Sequence, residues 1–193
     1  AKVRPTDDPQ VVIEKGPSKG LVTLVNMPDQ PFIVDTIRLF LKEKQADYWS
    51  GFNLVFPASR NAQGELIAVG NEDGQMESLV MLESDLGELI EDKEHSAASL
   101  ATNLQMAKAM VRDFRSMTRC VERTRERLEE AADQKPSKSA GLRETASFLK
   151  WLLRENFVFM GLQKIADSQT TKSLGIQSTA SIYYGKHEGD WPA

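Results

Sequence analysis

Apolar residues recur along this chain with two different periods, and each change of period marks a predicted element. The run GLVTLVN (20–26) is apolar on both faces, which predicts a buried strand. From residue 33 to 41 the apolar positions fall at three- and four-residue spacing, which predicts a helix with one buried face. Residues 48–60 alternate and, with LIAVG after the turn RNAQGE, predict a hairpin. Residues 76–85 predict a further strand.

The second half of the chain is mainly helical in its pattern. From about Ala97 the apolar residues follow a four-three spacing as far as Leu128, which predicts a helix of roughly thirty residues. The segment ADQKPSKSAG ends that helix, and LRETASFLKWLLREN predicts a second amphipathic helix. FVFMGLQKI (157–165) predicts a strand. The apolar seam of the long helix extends beyond a small sheet, so we expect it to pack on a partner.

This order of elements predicts an α+β fold, an antiparallel sheet with helices on one face. The split β-α-β arrangement of ferredoxin-like modules is the nearest simple match. We divide the chain into a tail or linker (1–19), a sheet-and-helix domain (20–95), the long helix (96–134) and a helix-strand extension (140–193). The strand at 157–165 is a candidate to complete the sheet of the domain.

Composition excludes several classes of protein. The chain has 193 residues, of which 40% are hydrophobic and 27% charged, as in ordinary globular domains. Its net charge of −4 lacks the basic excess of a general nucleic-acid binder. Its one cysteine, Cys120, excludes a disulfide within the chain and indicates a reducing, cytoplasmic setting. No run of eighteen apolar residues occurs, so we expect no contact with a membrane.

No motif for catalysis or metal binding is present. The two histidines, His95 and His187, lie far apart in polar segments without a metal ligand at helical or loop spacing. The sequence has no G-x-S-x-G, no Walker loop and no G-x-G-x-x-G. We therefore predict that this chain has no catalytic residue and holds no metal or cofactor.

One candidate site is left, the corner MPDQP (27–31) between the first strand and the first helix. Asp29 can accept hydrogen bonds from the first free amides of the helix, and Pro31 suits its first turn. A helix start also suits a carboxylate, so an amino acid could bind there with its ammonium near Asp29. The candidate ligand-binding residues are Asn26, Asp29, Gln30, Phe32 and Ile33. The alternative is a capped helix that binds nothing.

The corner resembles the first loop of the ACT domain, where an Asp-x-Pro-Gly pattern opens the first helix. Asp29 and Pro31 fall on two of those positions. Over a longer span the chain resembles the N-terminal region of the large NAD-dependent glutamate dehydrogenases of bacteria, from about residue 20 to 176. The segments that come in the same order are NMPDQPFIVDTIRLFL, ESLVMLE, the long helix, FLKWLLRENFVFMGLQKI and SLGI.

The resemblance implies an ACT-like module with a role in regulation and assembly. The full-length enzymes of that family deaminate glutamate oxidatively to 2-oxoglutarate with NAD, and their catalytic domains lie C-terminal of the matched region. The implied partners are the remaining domains of the same polypeptide, further copies in a homo-oligomer and an amino-acid effector. The alternative, from another class, is a free-standing ACT-type sensor that binds an amino acid and acts on a partner protein.

Two departures from the family pattern bear on ligand binding. Phe32 replaces the glycine that lets a ligand approach the backbone, and Asp-Gln is inserted relative to the family's Met-Pro-Phe spacing. We therefore predict that the ring of Phe32 is buried and closes the corner.

Overall fold

The computed structural model describes residues 3–4, 8–17, 20–86, 92–166 and 169–178. The chain forms two compact units, residues 1–108 and residues 109–193. Among the described residues, no helix combines the length and the apolar character that crossing a membrane requires.

The first unit is an antiparallel sheet with helices. Its elements are β1 (Gln10–Lys15), β2 (Leu21–Pro28), α1 (Ile33–Glu43), β3 (Tyr48–Arg60), β4 (Leu66–Val69), β5 (Gln75–Ser84) and the first part of α2 (Lys93–Gln134). The strands lie in the order β1-β2-β5-β3-β4. Because β5 pairs with both β2 and β3, it lies between two strands that precede it in the chain. The predicted α+β fold is confirmed.

One core joins the sheet to both helices. Alternate side chains of β2 and β5 are buried in it, together with apolar residues of α1 and the first turns of α2. Its largest fully buried members include Leu21, Ile37, Leu41, Leu100 and Leu104. Burying each such side chain contributes roughly 1.5–3 kcal/mol. Leu100 and Leu104, which belong to the seam predicted to contact a partner, are therefore part of this core.

The other face of the sheet carries the intervening residues. Leu24 of β2 lies opposite Met81 of β5, which lies opposite Phe52 of β3. In the next row Asn26, Leu79 and Leu54 are aligned in the same way. Phe52 and Leu54 remain exposed.

Two predictions about the sheet are wrong. Residues 10–15, placed in a tail, form the edge strand β1 against β2. The strand predicted at 157–165 is observed as β6 (Gly161–Ala166), but it pairs with β7 (Gln169–Gly175) in a separate sheet. In a ferredoxin-like arrangement the strand after the second helix would return beside the first strand. Here α2 continues for 42 residues, and β1 occupies the edge beside β2.

The second unit contains the rest of α2, then α3 (Ser139–Trp151) and the β6–β7 hairpin. A single π-helical turn, Leu152–Asn156, continues α3. Asp113 of α2 accepts a hydrogen bond from the amide of Gly175 at 2.9 Å. This contact fixes the end of β7 on the helix.

Candidate functional site

The corner between β2 and α1 keeps the backbone geometry that glycine favours. Phe32 precedes the helix with φ 72° and ψ 9°, in the left-handed region. That conformation costs a non-glycine residue roughly 1–2 kcal/mol. Its carbonyl accepts hydrogen bonds from the amide of Thr36 at 3.0 Å and from the Thr36 hydroxyl at 2.6 Å, which hold the turn in place.

The ring of Phe32 does not fill the corner. It is 48% exposed, so the prediction that it is buried is wrong. Ile33, the next residue, takes the core position and is 3% exposed. The left-handed turn at Phe32 is thus followed directly by the first buried residue of α1.

Asp29 has a different role from the predicted one. It accepts a hydrogen bond from the hydroxyl of Ser78 at 2.6 Å, and its amide donates to the carbonyl of Met76 at 2.8 Å. Within the part of the chain that the structure describes, no side chain caps the first turn of α1, so the predicted helix cap is wrong. Asp29 instead joins the corner to β5.

Asn26 is buried and engaged on both sides of its amide group. Its Nδ2 donates to Glu77 Oε2 at 3.0 Å and to the carbonyl of Ser78 at 3.2 Å. Its Oδ1 accepts from Arg60 Nη2 at 3.2 Å. Ser78 therefore links Asn26 to Asp29, through its carbonyl and its hydroxyl respectively. Gln30, also predicted for the site, is half-buried, and its Nε2 has no hydrogen-bond partner among the described residues.

Glu77 of β5, which the sequence analysis did not single out, accepts hydrogen bonds from the side chains of Arg4, Asn26 and Arg60. Arg60 of β3 binds it with two hydrogen bonds, Nε to Oε1 at 2.7 Å and Nη2 to Oε2 at 2.8 Å. Arg4 Nη2 donates to Oε1 at 2.8 Å. The Glu77 side chain is 1% exposed. We call Arg4, Asn26, Arg60 and Glu77 the Glu77 cluster.

The electrostatics of the cluster keep Glu77 ionised. Burial alone raises the pKa of Glu77, but hydrogen bonds from Arg60, Arg4 and Asn26 outweigh it and lower the pKa from 4.5 to about 2. The same hydrogen bond to Glu77 raises the pKa of Arg60 against the opposing effect of burial. The cluster is thus a paired, charge-assisted network and not a group set to exchange protons near neutral pH.

The N-terminal segment is held to the sheet through this cluster. The amide of Arg4 donates to the carbonyl of Gly64 at 2.9 Å, and Arg60 Nη1 donates to the same oxygen at 2.9 Å. Val3 forms an isolated β-bridge with Glu65. The two arginines are hard to find from sequence because their carboxylate partner lies on a different element, the strand β5.

A cavity of about 620 Å³ lies beside the cluster in the first unit. Its lining includes Gln10, Asn26, Leu79, Glu94 and Ala101, from β1, β2, β5 and α2. It is mostly apolar with a few polar groups, as small-molecule sites often are. Of the five predicted ligand-binding residues, Asn26 alone is in this lining.

The described residues offer no group of three His, Cys, Asp or Glu side chains able to hold a metal ion. His95 lies exposed in the first turn of α2, and its amide donates to Asp92 Oδ1 at 2.8 Å. His187 lies outside the described residues. Cys120 is exposed on α2.

Comparison with known proteins assigns the family. Residues 15–104 match the model of the glutamate dehydrogenase ACT1 domain. An NAD-specific glutamate dehydrogenase of Halomonas elongata is 30% identical over 140 residues, which are 69% of this chain and 8% of that protein. An NAD-specific glutamate dehydrogenase of Pseudomonas aeruginosa is 28% identical over 142 residues, which are 71% of this chain and 9% of that protein.

The chain therefore spans less than a tenth of the length of the curated relatives it matches. The family model begins at the end of β1 and ends within α2, so it covers most of the five-stranded sheet. Residues 15–104 are thus a glutamate dehydrogenase ACT1 domain, and the chain belongs with the N-terminal region of the NAD-specific glutamate dehydrogenase family.

Proposed function

We propose that this chain is a non-catalytic structural and regulatory module of an NAD-dependent glutamate dehydrogenase. The complete enzyme oxidatively deaminates glutamate to 2-oxoglutarate with NAD as the acceptor. The proposed partners are the remaining domains of the same polypeptide and further copies in a homo-oligomer, and the proposed location is the cytoplasm. The relatives named NAD-specific glutamate dehydrogenases support this assignment.

The described residues do not fit NAD. Every pairing between the described strands is antiparallel, whereas dinucleotide sites of the Rossmann type need parallel strands joined through a helix. A dinucleotide site also needs a glycine-rich turn before its helix, whereas α1, which follows β2, has Phe32 at its N-cap and begins at Ile33. This supports placing the dehydrogenase chemistry outside this chain.

The observation that supports the structural role is that the polar side chains of the corner are already hydrogen-bonded to other residues of this chain. Asn26 is bonded to Glu77, and Asp29 is bonded to Ser78. An amino-acid ligand would have to replace these hydrogen bonds, which gives it little net gain. We therefore favour a structural and regulatory role for this module, in assembly of the enzyme, over a role in sensing amino acids.

A free-standing amino-acid sensor is the second candidate. The cavity beside Asn26 favours it, because Gln10 Oε1 is buried at the cavity without a hydrogen-bond partner among the described residues. An amino acid bound there would raise the melting temperature of the chain.

The test compares the 193-residue chain with the complete gene product that contains it. We expect the chain to form no NADH from glutamate and NAD, and calorimetry to detect no NAD binding. We expect the complete gene product to form NADH, and to lose assembly or activity when this module is deleted. Turnover by the isolated chain, or full activity and assembly without it, would overturn the proposal.

A further inference from the structure

One face of α2 and one row of the sheet line the cavity of about 620 Å³ in the first unit. Gln10, Asn26 and Leu79 are aligned neighbours on β1, β2 and β5, and all three belong to its lining. The helix contributes residues three or four positions apart, which therefore share one side of it: Glu94, Ala97, Ala98 and Ala101. A cavity of this volume is large enough for a small organic molecule.

The walls of the cavity are mainly apolar. Val12 of β1 and Leu24 of β2 are paired across the two strands and belong to the lining, together with Leu79 of β5. Because alanine side chains are short, the side of α2 that lines the cavity leaves space that larger residues would fill. The hydrocarbon part of a ligand gains from leaving water for such walls.

The polar groups of the lining that lack a partner are hydrogen-bond acceptors. The Oε1 atom of Gln10 is buried and has no hydrogen-bond partner among the described residues. Glu94 has an exposed side chain that forms no ion pair with any residue that the structure describes. The amide donors of the lining are already engaged, since Gln10 Nε2 donates to the carbonyl of Val3 and Asn26 Nδ2 donates to Glu77 Oε2. Such a lining suits a ligand that donates hydrogen bonds.

The charge of the lining selects the sign of the ligand. Among the described residues that line the cavity, Glu94 is the one ionisable side chain, and neither lysine nor arginine is present. Its carboxylate attracts a cation and repels an anion. An amino acid would bring its own carboxylate into a lining that offers no cation to pair with it. The charge of the lining therefore favours an amine without a carboxylate over an amino acid.

We propose that this cavity binds a small aliphatic amine in its ammonium form. The hydrocarbon part lies against the apolar wall of β1, β2 and β5, and the ammonium donates to the carboxylate of Glu94 and to Gln10 Oε1. Hydrogen bonds between an ammonium and a carboxylate are charge-assisted and stronger than those between neutral groups. The site is separate from the corner before α1, because Asn26 alone of the candidate residues there belongs to this lining. This inference goes beyond the proposed function and does not depend on it.

Three probes that share one branched hydrocarbon skeleton test the proposal: isoamylamine, isoamyl alcohol and leucine. The first carries an ammonium, the second a hydroxyl, and the third both an ammonium and a carboxylate. Each is titrated into the 193-residue chain at neutral pH and constant ionic strength, and two-dimensional amide NMR spectra report the affinity and the place of binding. We expect isoamylamine to bind roughly tenfold more tightly than the other two, with shifts concentrated in β1 and the first turns of α2.

Two variants in α2 separate the effect of charge from that of volume. Glu94→Gln keeps the size of the side chain and removes its charge, so it should weaken binding of isoamylamine roughly tenfold and leave isoamyl alcohol unchanged. Ala98→Leu places a larger side chain of similar helix propensity at the cavity, so it should weaken binding of both. Glu43→Gln is the matched control, because Glu43 is an exposed glutamate of α1 outside the lining.

Four results would overturn the proposal. The first is no binding of isoamylamine, and the second is equal affinity for the amine and the alcohol, which would show that charge plays no part. The third is an affinity for the amine that Glu94→Gln lowers no more than Glu43→Gln does. The fourth is binding of leucine as tight as that of isoamylamine, which would favour an amino-acid sensor instead. None of these results bears on whether the complete gene product forms NADH, so the proposed function is tested separately.

Discussion

Arg60 and Glu77 form a two-pronged ion pair across neighbouring strands, with Nε 2.7 Å from Oε1 and Nη2 2.8 Å from Oε2. The Glu77 side chain is buried and that of Arg60 is mostly so, and an unpaired charge in such a place is costly. Arg4 adds a second cation to the same carboxylate at 2.8 Å. One side chain therefore joins β5, β3 and the N-terminal segment.

Removing the carboxylate charge should destabilise the fold strongly. Glu77→Gln removes the buried carboxylate charge that Arg4 and Arg60 share, a change that typically costs roughly 3–5 kcal/mol. Urea unfolding followed by circular dichroism measures it. Glu14→Gln on the exposed side of β1 is the control, and we expect it to change the free energy of unfolding by less than about 0.5 kcal/mol. Equal effects of the two variants would contradict the assignment.

The same carboxylate should make the fold acid-sensitive. The pKa of Glu77 is about 2 in the folded chain, below its ordinary value of 4.5, so its contribution to stability is complete above about pH 4.5. That contribution, on the order of 3 kcal/mol, is lost as the pH falls from about 4.5 toward 2. We expect the free energy of unfolding to fall over this interval, and Glu77→Gln to reduce the slope. An unchanged slope in the variant would mean that other carboxylates account for the acid sensitivity.

Backbone strain at the two ends of α1 can be relieved by glycine. Phe32 and Gln45 are the described non-glycine residues with positive φ, at 72° and 54°. Phe32→Gly should raise the free energy of unfolding by up to about 1 kcal/mol, because glycine adopts this conformation without a steric penalty. Phe32→Val should lower it by roughly 1–2 kcal/mol, because a β-branched residue tolerates positive φ least. Chemical denaturation of the three proteins should give the order Gly, Phe, Val, and any other order would contradict this account.

Free amino acids should not stabilise the chain. Asn26 and Asp29 are engaged by Glu77 and Ser78, so glutamate at millimolar concentration should leave the melting temperature unchanged. A ligand at a hundredfold excess over its Kd would add about 2.7 kcal/mol, which a thermal scan detects easily. A shift that disappears in Asp29→Ala would place an active pocket at the corner, and the sensor function would then take precedence.

A glycine within a helix and a glycine just before a strand should respond oppositely to alanine. Gly141 lies in α3 with open space where a Cβ would be, so Gly141→Ala should add about 0.5–1 kcal/mol. A Cβ at Gly20 would lie 2.2 Å from the carbonyl oxygen of Ser84 and 2.5 Å from the ring of Trp49. Gly20→Ala should therefore lower the melting temperature, and a neutral result there would contradict the packing of Trp49.

Individual helices and strands could be predicted from the sequence because the apolar periodicity of each lies within one continuous segment. The apolar spacing from Ile33 to Leu41 gave α1, and the alternation in 48–60 gave β3. β1 was missed because only six residues of strand lie between two segments rich in turn formers. The length of α2 was underestimated because both of its ends, the segments before Ala97 and after Leu128, are mainly polar and carry little periodic signal.

The buried polar contacts of Glu77 and Asp29 could not be predicted from periodicity. Glu77 lies 17 residues from Arg60 and 73 residues from Arg4 in the chain, and only the pairing of β3 with β5 brings the first two together. Asp29 looked like a helix cap because its position fits one, but a hydroxyl on β5 competes for the same carboxylate. Such competition depends on strand register, which a pattern within one segment does not reveal.

The place of β1 at the sheet edge has a consequence for how the chain folds during synthesis. All five strands of the sheet lie within residues 10–84, ahead of α2. The ribosome therefore delivers every strand before it delivers the long helix, and the sheet can form its full set of ladders while α2 is still being made. Were the edge strand located after α2 instead, the loop to be closed would include the whole helix and the separation of paired residues would rise, which slows folding. Because the edge strand β1 precedes the other strands in the chain, the nascent sheet can form before α2 is complete.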